Sequence, residues 1–402
     1  MKIVQATSYF TPEFGYEEFY LSRKLVELGH DVSVITSDRI FPFKNVKELL
    51  KRVGSKYTTR NRGTGVSEID GFKVYRLPCA FELLADFILL SNLRSTLKKI
   101  KPDIVHIHEP IQGGIAFIAG HKDLGFKLLV DQHSYATTFD ETKTFKNRVA
   151  HFQFLYLRKY FAKYAFNRAD AITAVTPRTK QFMVEVYGIP EDNIEIVPLG
   201  IDVRLFNYDL KARVNIRDEL AVSPETPLIL TAGRIDRAKK YEQLLKAFSE
   251  VSKQVNSKLV IIGTGDEDYE RKLHSEVSKL GIKKSVKFIK FVKKDLLSGY
   301  YSAADIGFWN KASITILEAM NCKLPVVIPD QDTIKPYVSN KNGLLFTEND
   351  IDMLKDQLLK LASDKKVRNA MGVRGRELVE EKYSYSATTK QYLKIYDRLL
   401  NE

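Results

Sequence analysis

The segment Thr231-Ala-Gly-Arg-Ile-Asp-Arg-Ala-Lys-Lys240 joins an apolar run to an amphipathic stretch. The preceding residues, Pro227–Ala232, have the length and apolar character of a strand buried on both faces, and the following residues, Tyr241–Val255, have the period of a helix. A strand, a short turn and a helix in this order are the repeating unit of a parallel sheet. Arg234 and Lys239 lie in the turn, where two cations beside a helix N-terminus suit either a bound diphosphate or a solvated basic surface.

The same alternation extends along the chain in two series, which are separated by Pro198–Pro227, a segment rich in chain breakers and charge. The first series has predicted strands at Lys2–Ala6, Asp31–Thr36, Asp103–Ile107, Lys127–Asp131, Ala171–Ala174 and Ile194–Val197, and predicted helices at Gly15–Leu28, Leu83–Lys99 and Phe145–Asn167. The second has strands at Pro227–Ala232, Lys258–Ile262, Val286–Ile289, Asp305–Trp309 and Pro325–Ile328, helices at Tyr241–Val255, Tyr269–Leu280 and Ile314–Met320, and a helical tail from Asp350 to Leu400. We therefore predict fold class α/β, with two Rossmann-like, doubly wound parallel-sheet domains that bind ligands at the carboxyl ends of their strands.

The composition excludes several classes of protein. Of the 402 residues 44% are hydrophobic and 28% are charged, which is typical of a globular chain. Two cysteines are too few for a disulfide framework or a zinc site, and they fit a reducing compartment. The start of the sequence has no signal-peptide pattern, and no apolar run is long enough to cross a bilayer. We expect a cytoplasmic protein, either free or bound peripherally to the inner face of the cell membrane.

The net charge of +13 is concentrated in two stretches of the first half. Lys44–Arg62 contains Glu48 as its one acidic residue, and Lys143–Arg168 contains none but is rich in aromatic residues. Basic and aromatic residues together suit an anionic membrane surface, and the apolar part of Leu83–Lys99 adds to that interpretation. The competing interpretation is a core helix with a solvated basic face. No nucleic-acid-binding module accompanies the charge, so we expect no nucleic acid partner.

A second motif lies in Asn310–Val327, where Glu318 occupies an otherwise apolar helix between two strands. Its carboxylate could accept hydrogen bonds from ribose hydroxyls, or it could be a buried glutamate with backbone partners. Arg234, Lys239 and Glu318, in a chain whose fold pattern restarts, resemble the C-terminal half of glycosyltransferase family 4, a large family of retaining enzymes with the GT-B fold.

Further segments carry the same resemblance over nearly the whole chain. Gly200-Ile-Asp202 with Phe206 is similar to the family's linker, and Ile261-Ile-Gly263-Thr-Gly265-Asp266 to its second donor-domain strand and turn. Asp103-Ile-Val-His-Ile-His108-Glu-Pro110 is similar to an N-domain strand that ends in a functional histidine.

The resemblance implies two domains that face a central cleft. Residues 1–200 would bind the acceptor, residues 201–380 would bind a nucleotide-diphosphate sugar, and residues 381–402 would form a helix that packs back on the first domain. The implied reaction transfers a hexosyl group, with retention of configuration, to a glycan or a lipid-linked acceptor.

The resemblance also assigns residues. Arg234 and Lys239 would hold the donor diphosphate and stabilise its departure, Glu318 would bind the ribose, and His108 would line the cleft beside the transferred sugar. The remaining expected donor-binding residues are Gly15, Gly263, Asn310, Ser313 and Ile314. We expect neither a cofactor nor a metal ion, because the cations serve the diphosphate, no His/Cys cluster is evident, and both Asp-x-Asp triplets, Asp266–Asp268 and Asp330–Asp332, read as surface turns.

Three departures from the family's pattern leave an alternative open. Tyr16 replaces the second glycine of the first loop, Lys240 replaces the glycine after the phosphate-binding lysine, and Asn310 replaces the first glutamate of a two-glutamate motif. Because Asn310 carries no charge, the alternative is a catalytically weak or inactive GT-B subunit. An epimerase would need acid and base carboxylates flanking the sugar, and Asn310 removes one candidate. A dehydrogenase is disfavoured, since no Gly-x-Gly-x-x-Gly follows the first strand.

Overall fold

Residues 1–43, 46–83, 87–134, 154–338 and 341–402 are described by the structure, which is a computed structural model. The chain divides into two units. Met1–Gly200 and Tyr385–Glu402 form the first, and Ile201–Ser384 form the second. The chain thus leaves the first unit after Gly200 and returns to it for its last helix.

The first unit is built on an eight-stranded sheet. Its strands are β1 (Lys2–Ala6), β2 (Asp31–Ser37), β3 (Gly65–Ile69), β4 (Phe72–Leu77), β7 (Ile104–His108), β8 (Lys127–Gln132), β9 (Ala171–Ala174) and β10 (Ile194–Ile196). They are ordered β10-β9-β8-β7-β1-β2-β4-β3, and the edge strand β3 runs antiparallel to β4. β1 is buried from Ile3 to Ala6 and β7 over its whole length, as apolar runs covered on both faces require.

The α-helices described in the first unit are α1 (Glu17–Glu27), α2 (Val46–Arg52), α3 (Leu93–Ile100), α4 (Lys159–Phe166), α5 (Pro177–Phe182) and α13 (Tyr385–Asn401). The last of these, α13, packs Tyr392, Tyr396 and Leu399 into a core that contains Ile3 and Val32. The predicted helix Phe145–Asn167 lies partly outside the described residues, and its described part is a π-helical turn at Phe154–Arg158 followed by α4.

The predicted helix Leu83–Lys99 is wrong in its first half. Strand β5 (Cys79–Leu83) pairs antiparallel with strand β6 (Phe87–Leu90), and helix α3 begins only at Leu93. Residues 84–86 of the predicted helix lie outside the described residues. Phe87 and Ile88 are buried, so these side chains are part of the core and not of a membrane-binding surface. A run of four apolar residues fits either a buried strand or a buried helix, and contacts distant in sequence decide between them.

The second unit has a six-stranded parallel sheet. Its strands are β11 (Leu228–Ala232), β12 (Lys258–Ile262), β13 (Val286–Ile289), β14 (Ile306–Phe308), β15 (Val326–Pro329) and β16 (Gly343–Phe346), in the order β13-β12-β11-β14-β15-β16. Its helices are α6 (Leu210–Glu219), α7 (Tyr241–Gln254), α8 (Glu267–Lys279), α9 (Lys294–Ala303), α10 (Ile314–Asn321), α11 (Ile351–Ser363) and α12 (Lys365–Leu378).

Each sheet contains a switch point, where strand order reverses and a crevice opens at the carboxyl ends of the strands. In the first unit this point lies between β1 and β7, and in the second it lies between β11 and β14. Thr7 and Glu109 follow the strands at the first point, and Gly233 and Trp309 follow those at the second. Both crevices are therefore expected ligand sites.

Some of the basic side chains in the two basic stretches are paired within the protein and are not free to bind a membrane surface. Arg60 and Arg62 of the first stretch pair with Glu82 and Glu13, and the side chain of Arg62 is 1% exposed. Lys44 and residues 143–153 lie outside the described residues. In the part of the chain that the structure describes, no helix combines the length and apolar character needed to cross a bilayer.

Candidate functional site

The switch point of the second unit brings together three of the predicted site residues. Arg234 and Lys239 lie in the turn after β11, and Asn310 follows β14, the neighbouring strand. Trp309 ties the two strand ends together, because its Nε1 donates to the carbonyl oxygen of Ala232 at 3.0 Å. Asn310 is buried; its Nδ2 donates to the carbonyl oxygen of Lys239 at 3.4 Å.

Lys239 is placed to bind an anion. Its ammonium group lies against Gly233, where an added Cβ would come within 2.5 Å of Nζ. Burial, joined by the neighbouring charge of Arg234, lowers the pKa of Lys239 despite the opposing charge of Asp236. In the described residues no ion pair joins Lys239 or Arg234 to a carboxylate. Two cations held this way would be stabilised by a diphosphate.

Glu318 lies on α10, just beyond Asn310, with its side chain 4% exposed. Its Oε1 is 3.7 Å from the ammonium nitrogen of Lys294, the first residue of α9. Burial raises the pKa of Glu318 to about 7, although the Lys294 charge opposes the shift. The sequence did not indicate Lys294, since nothing in its spacing links it to a residue 24 positions away.

The remaining predicted residues of this unit form the start of α10. Ser313 caps the helix, because its Oγ accepts a hydrogen bond from the Thr315 backbone N–H at 3.4 Å. Ile314, the first helical residue, is 38% exposed. The backbone N–H of Ile316 also donates within the protein, to the carbonyl oxygen of Ser313 at 3.1 Å. The predicted contacts of Ser313 and Ile314 with the donor remain predictions.

Gly263 serves the architecture of the turn. It has φ of +144°, and a Cβ at this position would lie 1.9 Å from the carbonyl oxygen of Gly233. The loops after β11 and β12 can approach each other this closely only because Gly263 has no side chain. Its predicted contact with the donor remains a prediction.

Replacing Gly263 by alanine is expected to lower the free energy of unfolding by about 3 kcal/mol, since the backbone carrying Arg234 must move. Gly281→Ala is the matched control: Gly281 also has positive φ, at +70°, but nothing lies within 4 Å of an added Cβ, so only backbone strain of about 1–2 kcal/mol is expected. Urea unfolding of both variants measures the difference. Equal losses would show that the close approach has no energetic role.

In the first unit, the structure places His108 inside the protein. Its side chain has no exposed surface, its Nε2 is 2.6 Å from Gln5 Oε1, and its Nδ1 is 3.4 Å from Nε2 of His133. His106 lies two residues before His108 on β7 and is also buried. Its Nδ1 is 2.8 Å from the hydroxyl of Tyr396. In this structure His108 therefore supports a neighbouring ring and does not line an open surface.

His133 is the partly exposed histidine of this network, with 17% of its side chain accessible. It directly follows β8, and its Nε2 lies 2.8 Å from Asp131 and 3.4 Å from Glu17. Burial alone would lower the pKa of His133, but the Asp131, Glu17 and Glu109 carboxylates outweigh it and raise the pKa well above its usual value. The sequence signal that pointed to His108 was its position at the end of a strand, and the same signal applies to His133.

Two groups of side chains in the described residues could hold a metal ion. They are His106, His108 and Asp131, and Glu17, Asp131 and His133, each with ligand atoms within 4.8 Å of one another. Sequence spacing did not reveal them, because their members come from β7, β8 and α1. Both groups also fit a network of hydrogen bonds and ion pairs, and the absence of a metal from the reaction remains a prediction.

Gly15, the last predicted site residue, belongs to the first unit. It ends the short 3₁₀ turn Pro12–Phe14 with φ of +62°, and an added Cβ would lie 2.9 Å from the Tyr20 ring. The turn itself therefore requires glycine here.

The chain matches two known families of glycosyltransferases. The family described as Glycosyltransferase Family 4 matches residues 19–205, and the family described as Glycosyl transferases group 1 matches residues 213–378. The chain belongs to glycosyltransferase family 4. It is accordingly an enzyme of the glycosyltransferase class.

Relatives of the family 4 chain show the range of this similarity. It is 27% identical over 233 residues to an uncharacterized glycosyltransferase of Methanocaldococcus jannaschii, covering 56% of this chain and 59% of the relative. It is 22% identical over 389 residues to the N-acetyl-alpha-D-glucosaminyl L-malate synthase of Bacillus anthracis, covering 95% and 93% of the two chains. A crystal structure of Anabaena HepE in complex with UDP-glucose superimposes with a TM-score of 0.66 at 16% identity, covering 99% and 100%. The predicted GT-B fold class is confirmed.

Lys240, which replaces a glycine of the family 4 pattern, forms a new connection. It keeps the left-handed backbone that glycine favours, with φ of +46°. Its Nζ lies 2.8 Å from both Glu348 Oε1 and Asn349 Oδ1, and Glu348 also accepts from Gln331 at 2.7 Å. These contacts tie the turn after β11 to the loops after β15 and β16.

Proposed function

We propose that this enzyme transfers a hexosyl group from a nucleotide-diphosphate sugar to an acceptor hydroxyl, with retention of configuration. The observation that carries the proposal is the placement of Arg234 and Lys239 beside Asn310 at the switch point of the second unit. The second unit would bind the donor, with its diphosphate on the two cations and its ribose on Glu318. The first unit would bind the acceptor.

The chemistry follows from these residues. The bond between the sugar C1 and the diphosphate oxygen breaks, a bond from C1 to the acceptor oxygen forms, and the hydroxyl proton moves to the departing diphosphate. Asn310 has no carboxylate that could form a covalent intermediate, so its place in the site supports attack on the same face beside the leaving group. Charge stabilisation by Arg234 and Lys239 and the positioning of the two substrates would then supply the rate enhancement.

Of the two histidines, His133 is the one we propose to contact the transferred sugar. It is partly exposed, whereas His108 has no accessible surface and lies behind it. His108 would hold the His133 ring through the 3.4 Å contact between them.

Donor binding is expected to weaken as the pH falls through 7. Burial raises the pKa of Glu318 to about 7, so the side chain is a carboxylate above this pH and a neutral acid below it. The carboxylate is the better acceptor for two ribose hydroxyls, and the diphosphate does not titrate in this range. The dissociation constant of the donor should rise about tenfold between pH 8 and pH 6, as titration calorimetry can measure. A flat profile would show that Glu318 does not bind the donor in its charged form.

Turnover is expected to survive treatment with EDTA, since Arg234 and Lys239 would supply the charge that a metal supplies in other glycosyltransferases. Dialysis against EDTA followed by a turnover assay tests this. Loss of activity that Mg²⁺, Mn²⁺ or Zn²⁺ restores would overturn metal independence and direct attention to Glu17, Asp131 and His133.

We also propose peripheral binding to an anionic membrane, on the cytoplasmic side. Lys47, Lys51 and Lys56 are exposed, and so are Tyr156 and Tyr160, at 66% and 56%. Co-sedimentation with phosphatidylserine vesicles, compared with phosphatidylcholine vesicles, tests this. Equal recovery of the protein with both kinds of vesicle would contradict the proposal.

The proposed function is tested first by a thermal-shift panel of UDP-, GDP-, ADP- and dTDP-sugars. A ligand that binds only the folded chain raises its melting temperature by mass action. The donor that does so is then incubated without acceptor, and NMR identifies the anomer first released by slow transfer to water. Retention supports the proposal, and inversion contradicts it. No shift with any donor would favour an inactive subunit.

A further inference from the structure

A cavity of about 280 Å³ opens in the first unit and has no assigned ligand. It is lined by the loops that follow β1, β2 and β7, three adjacent strands at the switch point of this sheet. Its volume is just below the roughly 300–1,000 Å³ typical of ligand sites. The cavity thus has the position of a ligand site and room for one small ring.

Four of the residues that line the cavity are aromatic. Tyr9, Tyr16, Phe41 and Phe43 line it, and their edges pack in series with centroid distances of 5.6 Å from Tyr9 to Phe41 and 4.9 Å from Phe41 to Phe43. The ring of Phe14 packs between those of Phe43 and Tyr16, with centroid distances of 5.3 Å and 5.8 Å. The face of an aromatic ring carries negative potential, which attracts the C–H bonds on one face of a sugar ring.

Two further residues that line the cavity are acidic, Glu18 and Glu109. Glu18 accepts from the Thr7 hydroxyl at 3.4 Å, and Glu109 is fixed by the backbone N–H of His133 at 2.9 Å. Carboxylates accept hydrogen bonds from sugar hydroxyls and repel phosphate groups. Of the described residues that line the cavity, none is a lysine or an arginine. Its chemistry therefore favours an uncharged, hydroxyl-rich ligand.

Tyr16 makes this site particular to the chain. It stands where the family pattern has a glycine, and it is one of the four aromatic residues that line the cavity. The backbone at Tyr16 is extended, with φ of −74°, so the backbone conformation at this position does not require glycine. The side chain is 47% exposed, which leaves a face open to a ligand.

We propose that this cavity binds an uncharged sugar ring of the acceptor, so that the acceptor is a glycoside and not a phosphorylated sugar at its reacting end. The inference rests on the proposed transferase function, because it assigns the acceptor of that reaction. A soluble glycan and the headgroup of a glycolipid offer the same ring.

Saturation-transfer NMR without any donor tests binding directly. The probes are methyl glucoside, methyl mannoside and methyl N-acetylglucosaminide, with glucose 6-phosphate as the charged counterpart. At least one glycoside should receive saturation, and the sugar phosphate should receive at least tenfold less. Tyr16→Gly, which restores the family's residue, and Glu18→Gln should each weaken the signal at least fivefold.

Phe291→Ala is the matched control, since Phe291 is also an aromatic residue 47% exposed but belongs to the second unit. It should leave the glycoside signal unchanged. The inference is overturned if no glycoside binds, if the phosphate binds equally well, or if both cavity variants behave like Phe291→Ala. Donor thermal shifts in the same samples separate this failure from failure of the proposed function.

A transfer assay then distinguishes the two sources of the ring. The acceptors are the bound methyl glycoside in solution and the corresponding dodecyl glycoside in phosphatidylcholine vesicles. Transfer to either supports the inference and identifies a glycan or a glycolipid as the source. Transfer to neither, from a donor that the enzyme hydrolyses, overturns it.

Discussion

Replacing Arg234 or Lys239 by methionine is expected to lower kcat/KM for sugar transfer by roughly a hundred- to thousandfold. In the proposed reaction each residue would contribute one positive charge beside the departing diphosphate, and removal of one such preorganised group typically has an effect of this size. Methionine keeps most of the volume and length of either side chain. The variants should therefore lose activity because a positive charge is removed, and not because a cavity is created in the turn.

Arg237→Met is the control for this prediction. Arg237 lies in the same turn but is 60% exposed, and it pairs with Asp266 at 3.8 Å. Its loss should change kcat/KM less than threefold. A comparable loss in all three variants would show that the general positive field of the turn matters and not two placed cations.

Lys239 also offers a readout on stability. Burial lowers the pKa of Lys239, so holding its charge in the unliganded protein has a cost. Lys239→Met should therefore keep or raise the melting temperature while it abolishes the stabilisation by a donor. A lower melting temperature without ligand would assign Lys239 a structural role instead.

The second large effect is expected from Glu318→Gln, which should weaken donor binding by about 10- to 100-fold at pH 8. The carboxylate would accept two ribose hydrogen bonds, and hydrogen bonds to a charged group are worth about 1.5–3 kcal/mol. Glutamine has the same shape and removes a buried charge, so the unliganded protein should not be destabilised. Titration calorimetry and thermal unfolding measure the two quantities separately.

Lys294→Met distinguishes the charge of Glu318 from its shape. Without the ammonium group 3.7 Å away, the pKa of Glu318 should rise further, so donor binding should be weak at pH 7 and recover at pH 9. Glu318→Gln should bind weakly at both values. Recovery of both variants at pH 9 would argue that Glu318 is not the titrating group.

Much of the fold follows from the sequence because strands covered on both faces are apolar without interruption. β11 and β12 could be placed for this reason, and the residues after β11 and β14 could be named as site candidates. β3 could not, since it is largely exposed and carries no apolar pattern. The segment Phe87–Leu90 was assigned to a helix because four apolar residues in succession do not distinguish a strand from a helix.

The sequence was less informative about which side chain at a strand end reaches the surface. His108 and His133 both lie at the carboxyl ends of neighbouring strands, and only contacts between strands separate them. His108 is held by Gln5, which is 103 residues away in the chain, while His133 meets Glu17 from α1. Likewise, Lys294 and Glu318 meet through the packing of two helices that no local pattern connects.

The return of α13 to the first unit has a consequence for how the protein is made. Tyr392 donates to Asp131 at 2.8 Å and Tyr396 contacts His106, so the polar interior of the first unit includes residues that follow the whole second unit in the chain. All of Ile201–Ser384 is synthesised before Tyr392 and Tyr396. Until then Asp131 lacks its bond from Tyr392, and Ile3 and Val32 lack the apolar side chains of α13 that complete their core. The first unit therefore cannot complete its core during synthesis until the whole second unit has been made.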